Sequence, residues 1–170
     1  MKTIILLTAA FLSLPSEAGV KFLAIGNPSA IRIQGEGKTL TAEKTEWKDG
    51  KVSGSFRVPL DSLETGIAMR DRHMKEKYLE TAKFPNADLE LSPCALGETE
   101  TKCDGKLTLH GVTKPVSVRV KGSPAGDKKM KIDAGFSVKL SEFGIAIPKF
   151  ANVTVAEDVE ITVDSETTKP

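Results

Sequence analysis

The sequence is poor in the residues from which most chemical sites are built. Its 170 residues include two cysteines and two histidines. Two histidines cannot make an all-histidine metal centre, and Cys94 and Cys103 have no histidine beside them, so the spacing of a zinc site is missing. An excess of charge is missing too. Lys and Arg number 24 against 23 Asp and Glu, a net charge of +1, which implies no polyanionic partner. Aromatic residues amount to 5%. The lysines are interspersed with acids instead of forming a stripe with aromatics, which argues against nucleic acid. There is no glycine-rich phosphate loop and no serine-nucleophile elbow. No unit of roughly 20–50 residues recurs, which argues against a solenoid or propeller.

Long apolar runs are absent apart from Ile4–Leu14, about eleven residues and short for a bilayer span. Lys2 precedes this run, Pro15 ends it, and Ser16-Glu17-Ala18 supplies small residues at the expected cleavage positions. This is the pattern of an export signal cut after Ala18. The expected organisation is a signal over residues 1–18, one domain over 19–166 and a flexible tail over 167–170. No segment inserted stably in a membrane is expected to remain. Export permits a disulfide. Cys94 and Cys103 flank the polar stretch 95–102 between two strand-like runs, so a bridge between them is expected at the base of a hairpin.

What the chain does have is alternation. Leu107 and Leu109 alternate with Thr108 and His110, and Val116, Val118 and Val120 alternate with Ser117, Arg119 and Lys121. Side chains change face at each step along a strand, so each half has one apolar and one wet face. Gly111 to Pro115 suits the turn between them. Asp49-Gly50 marks another hairpin. The run from Met130 to Leu140 alternates longest, with Ile132, Phe136 and Val138 on its apolar phase. Between Asp61 and Leu79 the period becomes helical, placing Ile67, Met74 and Tyr78 on one face. About eight half-apolar strands predict antiparallel pairing around one interior, either closed as a barrel or split into a two-sheet sandwich. Gly35, Gly37 and Gly54 predict bends, and small residues such as Gly54 and Ala134 would leave room inside. The apolar phase, including Phe56, Val58, Leu107, Leu109, Phe136, Val138 and Phe150, can line a cavity or fill a core. His73, which follows Asp71 and Arg72, is expected to lock the helix to the barrel rim. His110 is expected to bind its turn or face solvent. Neither has a nucleophile or substrate group positioned by sequence.

Four stretches, in order, resemble the YceI-like family of bacterial periplasmic proteins. Leu107–Val116 (LTLHGVTKPV) is similar to the family's signature hairpin. Phe56–Gly66 (FRVPLDSLETG) resembles the strand leading to its helix. Arg70–Lys75 (RDRHMK) with Lys83–Ala87 (KFPNA) resembles that helix and its exit, and Leu140–Ile145 (LSEFGI) resembles the late corner. The resemblance implies an eight-stranded antiparallel lipocalin-like β-barrel with a helical segment in one connection. It implies a periplasmic, non-enzymatic carrier whose lumen takes an isoprenoid lipid or similar amphiphile, such as a quinone tail. No other cofactor is expected, and a homodimer is left open. The expected lining residues are Phe56, Val58, Met74, Tyr78, Leu107, Leu109, Ile132, Phe136, Val138, Phe143 and Phe150. The sequence departs from the family where a His-Ser pair often stands: Asn27-Pro28-Ser29 and Ile31–Gly37 carry no histidine. Two other readings remain open: an envelope interaction module with a largely filled barrel, and an enzyme acting on a lipid through His73 and Asp71.

Overall fold

The computed structural model describes residues 18–27, 31–127, 129–150 and 152–168. The expected export signal up to Glu17, together with Pro28 and Ser29, lies outside the described residues. Each alternating run becomes a strand: β1 (Gly19–Asn27), β2 (Arg32–Gly37), β3 (Thr41–Lys48), β4 (Lys51–Pro59), β5 (Leu63–Glu64), β6 (Asn86–Ala95), β7 (Thr101–Leu109), β8 (Val112–Pro124), β9 (Lys129–Lys139), β10 (Lys149–Phe150) and β11 (Val153–Thr168). One short helix, α1 (Ala68–His73), lies between β5 and β6. All the strands belong to a single antiparallel sheet in the order β3-β4-β6-β7-β8-β9-β11-β1-β2-β5, with β10 added on β11. A single sheet rules out the sandwich. The all-β, antiparallel, lipocalin-like expectation holds, but the described sheet has 11 strands where eight were expected. β5 and β10 account for part of the surplus; each is two residues long, too short to show a period.

The sheet curls at bulges. Its register shifts between Ala24 and Gly26, between Ala42 and Lys44, and between Val52 and Gly54. A bulge bends its strand and increases the local twist. Gly54 serves this bend: a Cβ there would lie 2.5 Å from the Lys44 carbonyl oxygen. It does not line the interior, contrary to expectation, because backbone occupies the space beside it.

Two hairpins are built alike. Asp49 and Gly50 have φ of 51° and 72°, and His110 and Gly111 have φ of 52° and 75°. Paired positive φ values give the turn twist that matches right-twisted strands. The second hairpin is tighter than the sequence implies. β8 starts at Val112 and takes in Pro115, opposite Lys106. Pro115 is tolerated because β9 pairs with β8 only from Arg119 onward, so no ladder runs along its other side.

The helical stretch expected from Asp61 to Leu79 is divided. Leu60–Ser62 makes one 3-10 turn, and Leu63–Glu64 then extends to pair with Gly37 and Glu36. Burial of Leu63 in the core outweighs helical continuity there. Gly66, at φ 79°, turns the chain into α1, and a wide π-helical turn over Met74–Tyr78 follows. This division also carries the chain from one edge of the curled sheet to the other. β4 lies next to the β3 edge, and its continuation β5 pairs with β2 at the other edge. The chain itself carries the sheet across, and among the described residues no ladder joins β3 to β2 or β5.

At the C-terminus β11 runs to Thr168, past the expected domain end at 166, because Thr167 and Thr168 pair with Met130 and Lys129. The Cys94–Cys103 disulfide joins β6 to β7 beyond their last paired residues, Leu91 and Gly105, with the two Cα atoms 5.6 Å apart.

Candidate ligand-binding cavity

The inward faces of the strands surround a cavity of about 1250 Å³. Ordinary small-molecule sites occupy roughly 300–1,000 Å³. Strand alternation explains the apolar wall. Ile132, Ala134, Phe136 and Val138 of β9 all face the cavity, while Lys131, Asp133 and Lys139 between and beyond them do not. Every second residue of β6 from Ala87 to Leu91 faces it too. At roughly 3.3 Å per residue, the Ile132–Val138 stretch alone runs about 20 Å along the wall. The space is therefore elongated, and nearly all of its wall offers only dispersion and burial.

Of the residues expected to line the lumen, Phe56, Val58, Met74, Tyr78, Leu107, Leu109, Ile132, Phe136 and Val138 are brought together around the cavity. Phe143 is not among the lining residues. It is 2% exposed and packs into the core beside the lumen, because the 3-10 turn Leu140–Phe143 takes it off the strand phase. Phe150 ends β10, and its side chain lies outside the described residues. The departure from the family at the N-terminus leaves an apolar wall: Phe22, Ala24 and Ile33 line the cavity from β1 and β2. The Phe22 ring occupies the place that a side chain at position 35 would take, and Gly35 leaves it free.

At one end of the sheet the lining is buried. Register places the β7–β8 turn, the start of β6 and the end of β9 together there, and Leu60, Leu109, Leu140 and Ile145 are buried lining residues at that end. His110 holds this floor. Its Nδ1 lies 3.2 Å from the Phe143 carbonyl oxygen and its Nε2 lies 2.9 Å from Glu80 Oε2. Its ring packs at 4.4 Å on Phe84. Both partners, a carbonyl and a carboxylate, are acceptors. The Lys83 ammonium, 2.5 Å away, and then the His110 ring hold the Glu80 carboxyl below its usual range. His110 thus binds its turn, as expected, and also ties together the post-helix loop and the Leu140–Phe143 turn. The partner Glu80, 30 residues away, left no local signal.

The mouth lies beside α1. Ile67 and Met69 line the cavity and yet are 53% and 56% exposed, so the cavity reaches solvent there. Asp71 holds the approach to the helix: its Oδ1 accepts from the Thr65 backbone N–H at 2.8 Å and from the Thr65 hydroxyl. Arg70 adds Nε to Thr65 Oγ1 and a second guanidinium nitrogen to the Thr65 carbonyl, each at 2.8 Å. The role expected of His73 falls to these residues. His73 is a half-buried lining residue, and among the described residues it has no hydrogen-bond partner. Further along, Tyr78 Oη accepts from the Lys149 backbone N–H at 3.3 Å and pins the π-helical turn to β10.

A curled antiparallel sheet around one long apolar hollow, with a helical connection at the opening, defines a lipocalin-like barrel. Comparison narrows the class. Residues 16–167 match the model of the YceI-like domain, and the chain belongs to that family. It is 35% identical over 113 residues to the protein YceI of Salmonella arizonae, and equally to that of Salmonella newport. That match covers 63% of this chain and 58% of the relative, so the chain spans under two thirds of the curated relatives' length. Among solved structures, BcnA of Burkholderia cenocepacia superposes with a TM-score of 0.74 at 21% identity, covering 89% of this chain and 96% of BcnA. A polyisoprenoid-binding domain of Saccharophagus degradans, implicated in plant cell wall breakdown, gives 0.70 at 14% identity, covering 90% and 94%.

Proposed function

We propose that this protein is a non-enzymatic carrier that shelters an isoprenoid lipid or similar amphiphile from water inside its barrel. The observation that carries this reading is the cavity: long, apolar on nearly every side and open beside α1. Burying a prenyl chain gains about 0.8 kcal/mol per CH₂. Affinity then comes from length and fit, with no need for a dense set of polar contacts. The family and the polyisoprenoid-binding neighbour support a binding protein over an enzyme acting through His73 and Asp71. A module that works with a filled barrel fits a cavity of about 1250 Å³ poorly. The reading includes export to the periplasm by residues 1–18.

Native mass spectrometry of protein taken from its host's periplasm tests this. The expected species starts at Gly19 and carries the added mass of a lipid that organic solvent extracts. Protein that is always of bare mass, and that takes up no isoprenoid on titration, would refute the carrier. Phe136→Asp places a carboxylate on the lumen wall and should lower loading by at least tenfold, as read by the lipid-bound fraction in the same spectra.

A further inference from the structure

The mouth carries a feature the carrier reading does not require. Among the described residues, Ile67 and Met69 are the exposed large hydrophobics. They sit two positions apart, and both belong to the rim of the same cavity. A folded chain that leaves exposed apolar side chains together, rimmed by polar residues, marks a contact surface. The surrounding charge is cationic. From Ile67 to Tyr78 the chain carries Arg70, Arg72, Lys75 and Lys77 against Asp71 and Glu76. Asp71 is turned inward onto Thr65. Arg72 is exposed and lies three positions after Met69, one turn along the same face of α1. Lys77 is exposed too, with its ammonium 5.3 Å from the centre of the Tyr78 ring. Lys149, exposed on β10, belongs to the rim as well. Among the described residues Arg72, Lys75, Lys77 and Lys149 form no ion pair, so these charges are available to a partner.

We propose that the rim around α1 docks on a lipid bilayer bearing anionic headgroups, with Ile67 and Met69 entering the interface and Arg72, Lys75, Lys77 and Lys149 facing the phosphates. Short apolar side chains flanked by Lys and Arg suit binding in the plane of an interface, not spanning it. Among the described residues no helix is long and apolar enough to cross a membrane. Docking in this orientation sets the cavity opening against the lipid, so that a prenyl chain can pass without crossing water. This extension rests on the carrier reading for its purpose, but not for its measurement.

Flotation with vesicles tests the docking alone. Vesicles of phosphatidylcholine with and without phosphatidylglycerol, both free of isoprenoid, are mixed with the full chain. Binding is expected to the anionic vesicles and to weaken as salt rises, since exposed charges are screened. Met69→Ser with Ile67→Ser should reduce the bound fraction about tenfold. Arg72→Glu with Lys77→Glu should reduce it by at least about fivefold for each charge removed. The charge pair lies outside the lumen and should leave equilibrium isoprenoid loading from detergent micelles unchanged, while slowing uptake from anionic vesicles. No binding to either vesicle, or binding that ignores both pairs of substitutions, overturns the docking and leaves the carrier standing. Docking by a protein that never loads lipid refutes the carrier and leaves the docking. A dimer in solution that Met69→Ser with Ile67→Ser dissolves assigns the rim to a second copy and overturns the membrane.

Discussion

The floor and the mouth of the cavity are built by opposite rules. At the floor Phe143 is 2% exposed, Leu60 3% and Ile145 2%, and His110 crosslinks three segments through both ring nitrogens. At the mouth the apolar residues Ile67 and Met69 stand in water, and the side chains of Asp71 and Arg70 fix the turn beneath them. The floor contributes to the stability of the domain. The mouth leaves apolar surface exposed, where it is open to exchange. Stability and access are separated along a single connection, since the chain from Thr65 to Phe84 starts at one and ends at the other.

Substitutions should show this separation at sites of decreasing consequence. Phe143→Ala removes a fully packed ring and should cost about 3–5 kcal/mol in urea unfolding; a loss under 1 kcal/mol would mean the floor is loosely packed. His110→Ala removes the ring partner of the Phe143 carbonyl and of Glu80 Oε2, leaving Glu80 only Lys83, and should cost about 1–3 kcal/mol by the same assay. Glu80→Gln should lower stability at neutral pH by less than this. The Glu80 carboxyl is held below its usual range in the folded protein, so its stabilisation is complete above the unfolded value and disappears as pH falls through the folded one. Wild type and Glu80→Gln should therefore converge in acid, and a gap that persists at low pH would break the assignment. Met69→Ser, at the mouth, should change stability by under about 0.5 kcal/mol. A larger loss would erase the contrast between the two regions.

Much of the wall could be read from the sequence because period two is a local property. Ile132, Phe136 and Val138 share a face by arithmetic, and the structure keeps them on it. Asp49-Gly50 announces its hairpin through residues that tolerate positive φ, and Gly111 marks the second, although His110 reads there as the last residue of a strand. What escaped depends on partners far along the chain. β5 has no period of its own and exists because β2 offers an edge at Glu36 and Gly37. Pro115 reads as a break until the short reach of β9 is known. Phe143 carries the composition of a lumen residue, but a single 3-10 turn rotates it into the core. Gly54 looks like spare room, yet the neighbouring strand's backbone occupies that space. The tie from His110 to Glu80 joins two turns that no sequence window contains together.

The crossing at Leu60–Ser62 gives the molecule a covalent stitch where other barrels have a seam of hydrogen bonds. Moving the chain ends to that point, in a circularly permuted protein, would unlace the wall. Moving them to the β8–β9 loop at Gly126 would only nick a surface turn. The stitch also limits girth, since peptide bonds hold the two borders at a set span there.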